Sequence, residues 1–221
     1  MKIAIEGGDY SGKTTVSKIL HEKYDYPLYR QPGVPVLRDL IKNDLLQEDP
    51  NEKTVALAFA LDRAIQEEKY NEDGVFITDR SVISSLVIQS SQLAMEYLTA
   101  INSDISFPEI TIWLRIGKNE LKKRMSDTKG EDIYDEKALI INERYDRIMP
   151  ELKRKVKPLQ VIEIFCDKKT PEEIADEIDE EIIEILRDKD LVELMEKFPS
   201  KVRQIFGIDK CRWMDKFFKE E

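Results

Sequence analysis

The chain opens with Lys2-Ile3-Ala4-Ile5-Glu6-Gly7-Gly8-Asp9-Tyr10-Ser11-Gly12-Lys13-Thr14-Thr15. Its first residues form a short apolar run, and its last ones start a stretch with helical spacing, Lys13–Tyr24. Gly7 through Thr14 satisfies G-x-x-x-x-G-K-[ST], placed after a strand and opening a helix, as that loop requires. The glycines let the backbone turn its N–H groups inward around phosphate oxygens, and the helix N-terminus adds positive potential. Residues Gly7, Gly8, Asp9, Tyr10, Ser11, Gly12, Lys13, Thr14 and Thr15 are therefore expected to hold ATP. Lys13 would reach the β- and γ-phosphates, and the Thr14 hydroxyl would ligate Mg²⁺. A fortuitous glycine turn is the competing reading. A chance match in this length has a probability on the order of 1%, before its setting is counted.

Beyond this loop, short apolar runs alternate with longer helical stretches. Candidate strands are Lys2–Glu6, Pro27–Arg30, Val75–Thr78, Ile110–Arg115 and Gln160–Phe165. Helical spacing marks Lys13–Tyr24, Val36–Leu46, Asn51–Tyr70, Val82–Asn102, Lys118–Met125, Glu136–Lys155 and Pro171–Arg187. Continuous apolar strands separated by helices imply a buried parallel sheet. The fold class is thus α/β: a three-layer P-loop fold with a five-stranded parallel sheet and helices on both faces. Ligands should collect at the carboxyl ends of the strands. Ser126–Asp135 is polar and contains Gly130, which suits a lid at about 125–135. Residues 1–186 are expected to form one P-loop domain, and residues 187–221 read as a helical C-terminal extension, with Leu191, Leu194, Met195 and Phe198 at helical intervals. Trp213, Phe217 and Phe218 in that extension could pack on the body, form a dimer contact or dock a partner.

Composition bounds the partners. The 221 residues carry a net charge of −10, so a nucleic acid polymer would be repelled. A small phosphorylated substrate remains compatible, because a few cations can dominate a cleft. Two cysteines, Cys166 and Cys211, and one histidine, His21, make neither a disulfide framework nor a zinc site. No apolar run approaches the roughly 20 residues of a membrane span. The start at Lys2-Ile3-Ala4-Ile5 leaves no room for a signal peptide, so a cytoplasmic protein without a membrane partner is expected.

Two further constellations carry chemistry. Asp79-Arg80 follows the apolar run Val75–Thr78. An acid there can hold Mg²⁺, and the arginine can clamp phosphate in a fork; a strand-end salt bridge is the alternative. Phe59 and Arg63 lie four apart on a helix and share a face. They could stack a base and bond its edge, or Phe59 could be a core residue.

The sequence resembles the thymidylate kinase family of P-loop nucleoside monophosphate kinases. Glu6–Thr15 is similar to its E-G-x-D-G-x-G-K-T-T, and Arg30-Gln31-Pro32-Gly33 to its R-E-P-G. Leu57–Arg63 is similar to L-L-F-A-A-D-R, Asp79–Gln89 to D-R-Y-x-x-S-S-L-A-Y-Q, and Phe107–Leu114 to the strand P-D-L-T-x-x-L. The resemblance runs from residue 2 to about 186. It implies transfer of the γ-phosphoryl of ATP-Mg²⁺ to dTMP, giving dTDP and ADP. It further implies that Phe59 stacks on thymine, Arg63 bonds its carbonyl edge, and Ser84 and Gln89 line the base pocket. Arg80 would hold the acceptor phosphate, Asp9 would sit near the sugar 3′-hydroxyl or the reacting phosphates, and Tyr134 would contact the sugar. Arg124 or Lys129 would cover the transferring group as the lid cation, and Thr14 and Asp79 would serve the metal. A homodimer is expected.

The chain departs from the pattern at five places, two of them a lid, Arg124–Gly130, poorer in arginine than the family's R-x-R-G, and Val34 in place of a second glycine after Pro32-Gly33. Tyr10 stands where some members carry a catalytic arginine, Ser81 replaces a tyrosine, and Ile88 replaces a sugar-packing aromatic. Asp79-Arg80-Ser81 is also similar to a tripeptide of deoxynucleoside kinases, which act on a 5′-hydroxyl and need a general base, for which Glu6 or Asp9 would be the candidates. A P-loop binding module with weak or no turnover is the other alternative.

Overall fold

A computed structural model describes residues 1–46, 50–70, 75–128, 134–155 and 160–186. Five strands, β1 (Lys2–Glu6), β2 (Leu28–Arg30), β3 (Phe76–Asp79), β4 (Ile110–Arg115) and β5 (Gln160–Phe165), pair in parallel in the order β2-β3-β1-β4-β5. The expected sheet is thus present. β1 sits at its centre, with Ile5 opposite Asp79 on one side and Glu6 opposite Trp113 on the other. The chain leaves β1 where neighbouring connections diverge, the position at which open α/β sheets gather ligands.

Helices α1 (Lys13–Tyr24) and α8 (Pro171–Leu186) cover one face. Val16 and Leu20 of α1 meet Ile3, Ile112 and Ile164 of the sheet and Ile174 and Ile178 of α8 in one apolar cluster. Lys23 ties the two helices together by pairing with Asp176 and Asp179. On the other face lie α3 (Glu52–Tyr70), α4 (Val82–Ile88), α5 (Met95–Ile101) and α7 (Tyr134–Lys155). There Val82, Ile83 and Leu86 pack with Trp113, Tyr145 and Met149. β1 is buried along its whole length, whereas the edge strand β5 alternates exposed and buried residues. That difference follows from cover: helices lie on both faces of β1, whereas in β5 the buried Ile162 and Ile164 are those that meet α8.

Several boundaries differ from the sequence reading. The stretch Val82–Asn102 is broken into α4, a 3₁₀ turn at Gln89–Ser91, and α5. Ser90 and Ser91 hydroxyls donate back to the Val87 and Ile88 carbonyls at 3.3 Å, offering the backbone an alternative to helical continuation. The stretch Val36–Leu46 starts one residue earlier as α2 (Pro35–Leu40), with proline in the first turn. It then widens into a π-helical turn, Ile41–Leu45. Asp79 belongs to β3 and is not a loop residue after it. The polar stretch read as a lid is helical at both ends. Helix α6 (Lys118–Thr128) runs on to Thr128, where the Ser126 and Thr128 hydroxyls bond backbone carbonyls of the same helix, and α7 opens at Tyr134. The expected extension, 187–221, lies outside the described residues, as does Lys129.

Candidate active site

The loop after β1 is shaped by two glycines with positive φ. Gly7 has φ 147°, and a Cβ there would lie 2.5 Å from the Leu114 carbonyl oxygen. Gly12, at φ 94°, caps α1 in the left-handed region, where a side chain is strained. Tyr10 adopts φ 61° between them. The first residue of α1, Lys13, is buried and donates to the Gly8 carbonyl at 2.5 Å. Burial, reinforced by the nearby Arg80 charge and only partly offset by Asp9, Asp79 and Glu6, lowers its pKa from 10.5 to about 7. The Thr14 hydroxyl donates to Asp79 Oδ2 at 2.7 Å. The loop and the end of β3 therefore meet through the two residues expected to serve a metal.

Arg80 follows β3 with φ 77°, a left-handed backbone in a non-glycine residue. Such strain persists where the surroundings over-determine it. Here its backbone N–H donates to the Ile5 carbonyl at 3.1 Å, and Nη2 donates to Asp9 Oδ1 at 2.6 Å. Nη1 reaches Ser84 Oγ at 3.4 Å. Burial opposes the Arg80 charge, but Tyr145, Asp9, Glu6 and Asp79 more than offset it, so its pKa is raised.

A cavity of about 1140 Å³ opens beside these groups. Its wall includes Lys13, Arg30, Arg38, Lys42, Arg63 and Arg80, joined by Lys137 and Arg144 from α7. Among the described residues only Asp9, Glu52 and Asp79 bring negative charge to it. In a chain of net charge −10, this concentration of cations makes a local trap for phosphate.

At the cavity wall on α3, Phe59 is half-buried, with the Arg63 guanidinium 5.7 Å from its ring centre. Arg63 is buried. Its Nε donates to Gln31 Oε1 at 2.9 Å and its Nη1 to Asn102 Oδ1 at 3.2 Å. Burial lowers its pKa to about 10, so it stays charged at neutral pH. Gln89 also lines the cavity, 5% exposed, and neither its side-chain oxygen nor its nitrogen has a partner among the described residues. Buried polar atoms are nearly always satisfied. An amide left open in a cavity is suited to a ligand edge carrying both a donor and an acceptor.

The structure thus brings Lys13, Thr14, Asp79, Arg80 and Asp9 together, and it places Phe59, Arg63, Ser84 and Gln89 on the same cavity. Arg124 is placed differently from these groups. Its guanidinium donates to Glu120 Oε1 at 3.0 Å, to the Tyr10 carbonyl at 3.3 Å and to the Cys166 carbonyl at 2.6 Å. Tyr134 is the first residue of α7.

Several groups were not legible in the sequence. Asp62 accepts the N–H groups of Gly33 and Val34 at 3.0 and 2.7 Å, fixing the turn that carries Gln31 to Arg63. Glu6 is fully buried and accepts three hydroxyls, Ser81, Ser84 and Tyr145, each at 2.7 Å. Burial, with the Glu6 charge, holds the Tyr145 phenol pKa well above 10.0, so it remains a donor. Glu6 does not reach the cavity, which removes it as the general base that a 5′-hydroxyl kinase would need. Glu6 was visible as the acid before the loop and as a candidate base, but its three hydroxyl partners were not, and nothing marked Tyr145.

Comparison with known proteins places the chain among relatives. A family model described as thymidylate kinase matches residues 5–178. The "probable thymidylate kinase" of Methanococcus aeolicus is 32% identical over 196 residues, spanning 86% of this chain and 97% of that protein. The thymidylate kinase of Nautilia profundicola is 30% identical over 141 residues, 60% of this chain and 73% of that protein. Among solved structures, thymidylate kinase from Candida albicans superposes with a TM-score of 0.62 at 18% identity, covering 83% of this chain and 91% of that one, a likeness of fold. A match that runs from β1 through both walls of the cavity into α8 leaves one conclusion, that this chain belongs to the thymidylate kinase family.

Proposed function

We propose that this nucleoside monophosphate kinase transfers the γ-phosphoryl group of ATP to dTMP, with the described cavity as the acceptor site. One observation carries the reading. A single cavity joins a phosphate end, built on Lys13 and Arg80, to an end that offers Phe59, Arg63 and the open Gln89 amide. The aromatic face and the paired donor and acceptor suit a pyrimidine imide, and the cations suit the phosphates.

An oxygen of the acceptor phosphate forms the new bond to the γ-phosphorus as the bond from that phosphorus to the bridging oxygen of ADP breaks. ADP leaves with the bonding electrons. With a second pKa near 6 the acceptor phosphate is already a nucleophile at neutral pH, so no general base is required. Positioning and charge compensation supply the catalysis. Lys13 serves the β- and γ-phosphates and Arg80 the acceptor phosphate, with Asp9 fixing Arg80. Arg38 and Lys42, one turn apart and both on the cavity, extend the acceptor clamp; Arg30 instead lies 3.7 Å from Asp79. Arg124 braces the Tyr10 carbonyl at the rim of the ATP loop, and Lys129 is the remaining candidate for the lid cation. Tyr134 is assigned to the sugar.

Among the described residues no cluster of three or more His, Cys, Asp or Glu side chains could hold a metal ion. The hydroxyl of Thr14 beside the Asp79 carboxylate fits an ion shared with nucleotide phosphates. Those residues would hold Mg²⁺, which when bound neutralises phosphate charge. The compartment proposed is the cytoplasm; among the described residues no helix is long and apolar enough to cross a membrane.

The test is an acceptor panel with ATP-Mg²⁺: dTMP, dUMP, UMP, dCMP, dGMP and thymidine. Fastest ADP release with dTMP is expected. A preference for thymidine over dTMP would overturn the assignment, and ATP binding without acceptor-dependent turnover would favour the binding module.

A further inference from the structure

Helix α7 touches the catalytic parts at three points within four residues. Asn142 is buried, donates to the Ile116 carbonyl at 2.9 Å, and lies so close to the ATP loop that a Cβ on Gly8 would meet its Oδ1 at 3.2 Å. Arg144 donates to the Ile88 carbonyl at 2.7 Å, at the end of α4. Tyr145, also fully buried, donates to Glu6 Oε2 at 2.7 Å and lies 3.0 Å from Ser84 Oγ.

The Tyr145 contacts are unusual in their chemistry. The Glu6 carboxylate is 0% exposed, yet among the described residues its hydrogen-bond partners are three neutral hydroxyls and no cation. Hydroxyl donors fix a carboxylate's orientation without cancelling its charge. That charge therefore acts on the guanidinium groups around it, on Arg63 and on Arg80, and it is Arg80 whose Nη1 rests on the same Ser84 hydroxyl. Arg80 in turn has a left-handed backbone and, among the described residues, one firm side-chain anchor, Asp9. Its remaining placement depends on Ser84 and the field of Glu6.

We infer that Tyr145 is a positioning residue for phosphoryl transfer: through Glu6 and Ser84 it sets the Arg80 guanidinium, and so ties the acceptor clamp to the helix that follows the lid stretch. The inference rests on the proposed role of Arg80. Tyr145→Phe keeps the ring in the core and removes only the hydroxyl, leaving Glu6 Oε2 with one donor.

A double-mutant cycle with Arg80→Lys tests it, with kcat and KM for each substrate measured on the full chain. Tyr145→Phe is expected to lower kcat about tenfold with KM for ATP unchanged, since misplacement of a catalytic group costs turnover more than remote binding. In the Arg80→Lys background the same change is expected to cost less than about twofold, because the group it positions is gone. An equal loss in both backgrounds, or no loss in either, overturns the inference while leaving Arg80 in its role. Full activity of Arg80→Lys overturns the reading of Arg80 and the inference with it. Glu6→Gln, which keeps shape and removes the charge, must show the same non-additivity and serves if Tyr145→Phe does not fold.

Discussion

Lys13 and Arg63 are both buried cations that lack a carboxylate hydrogen-bond partner among the described residues. A cation held this way is costly unless a ligand compensates it, so each side chain has a definite predicted phenotype. Lys13→Met removes a preorganised charge from the phosphate end and is expected to lower kcat/KM about 10²–10³-fold in a coupled ADP-release assay. At the other end, Phe59→Ala removes the stacking face. Loss of about 1–3 kcal/mol of base stacking raises KM for dTMP about tenfold or more and leaves KM for ATP unchanged. Cys166 supplies a different kind of check. It is fully buried, and burial pushes its thiol up to about 12, so little thiolate exists at pH 8. In a Cys211→Ser background it is expected to resist a thiol reagent in the folded protein and to react once the chain is unfolded in urea.

At the scale of elements, the catalytic groups sit at strand ends and helix starts, and caps decide where those lie. Ser81 shows how one side chain serves two elements. Its hydroxyl accepts the Ile83 N–H at 3.2 Å, capping α4, and donates to Glu6 at the end of β1 at 2.7 Å. Ser81→Ala loses a cap and strips one donor from a buried carboxylate. The expected cost is about 1–3 kcal/mol, read as a lower urea midpoint with an unchanged slope. The break after α4 belongs to the same scale. Gln89 caps the end of α4, its N–H still bonded to the Ser85 carbonyl, while the carbonyl of Ile88 is taken by Arg144.

For the molecule as a whole, the outer face of α3 is the feature that the core does not explain. Leu57, Leu61 and Ile65 recur every four residues and are 50%, 51% and 37% exposed, a stripe along one helix face. Scattered exposed leucines need no explanation, but a contiguous stripe marks an interface. The homodimer is proposed to form there, and Leu61→Glu is expected to shift the mass found by light scattering from dimer to monomer. Much of this molecule was determined by local sequence. The loop Gly7–Thr14, the strand-end pair Asp79-Arg80 and the continuous apolar strands announce themselves, because each needs particular residues within a few positions for steric or periodic reasons. The one-turn spacing of Phe59 and Arg63 was legible for the same cause. Tertiary structure alone decided the rest. Tyr145 and Glu6 are 139 residues apart, and Arg63 finds Gln31 and Asn102 across 32 and 39. No local pattern encodes such meetings, since they arise only when the sheet order sets which strand ends and helix faces become neighbours.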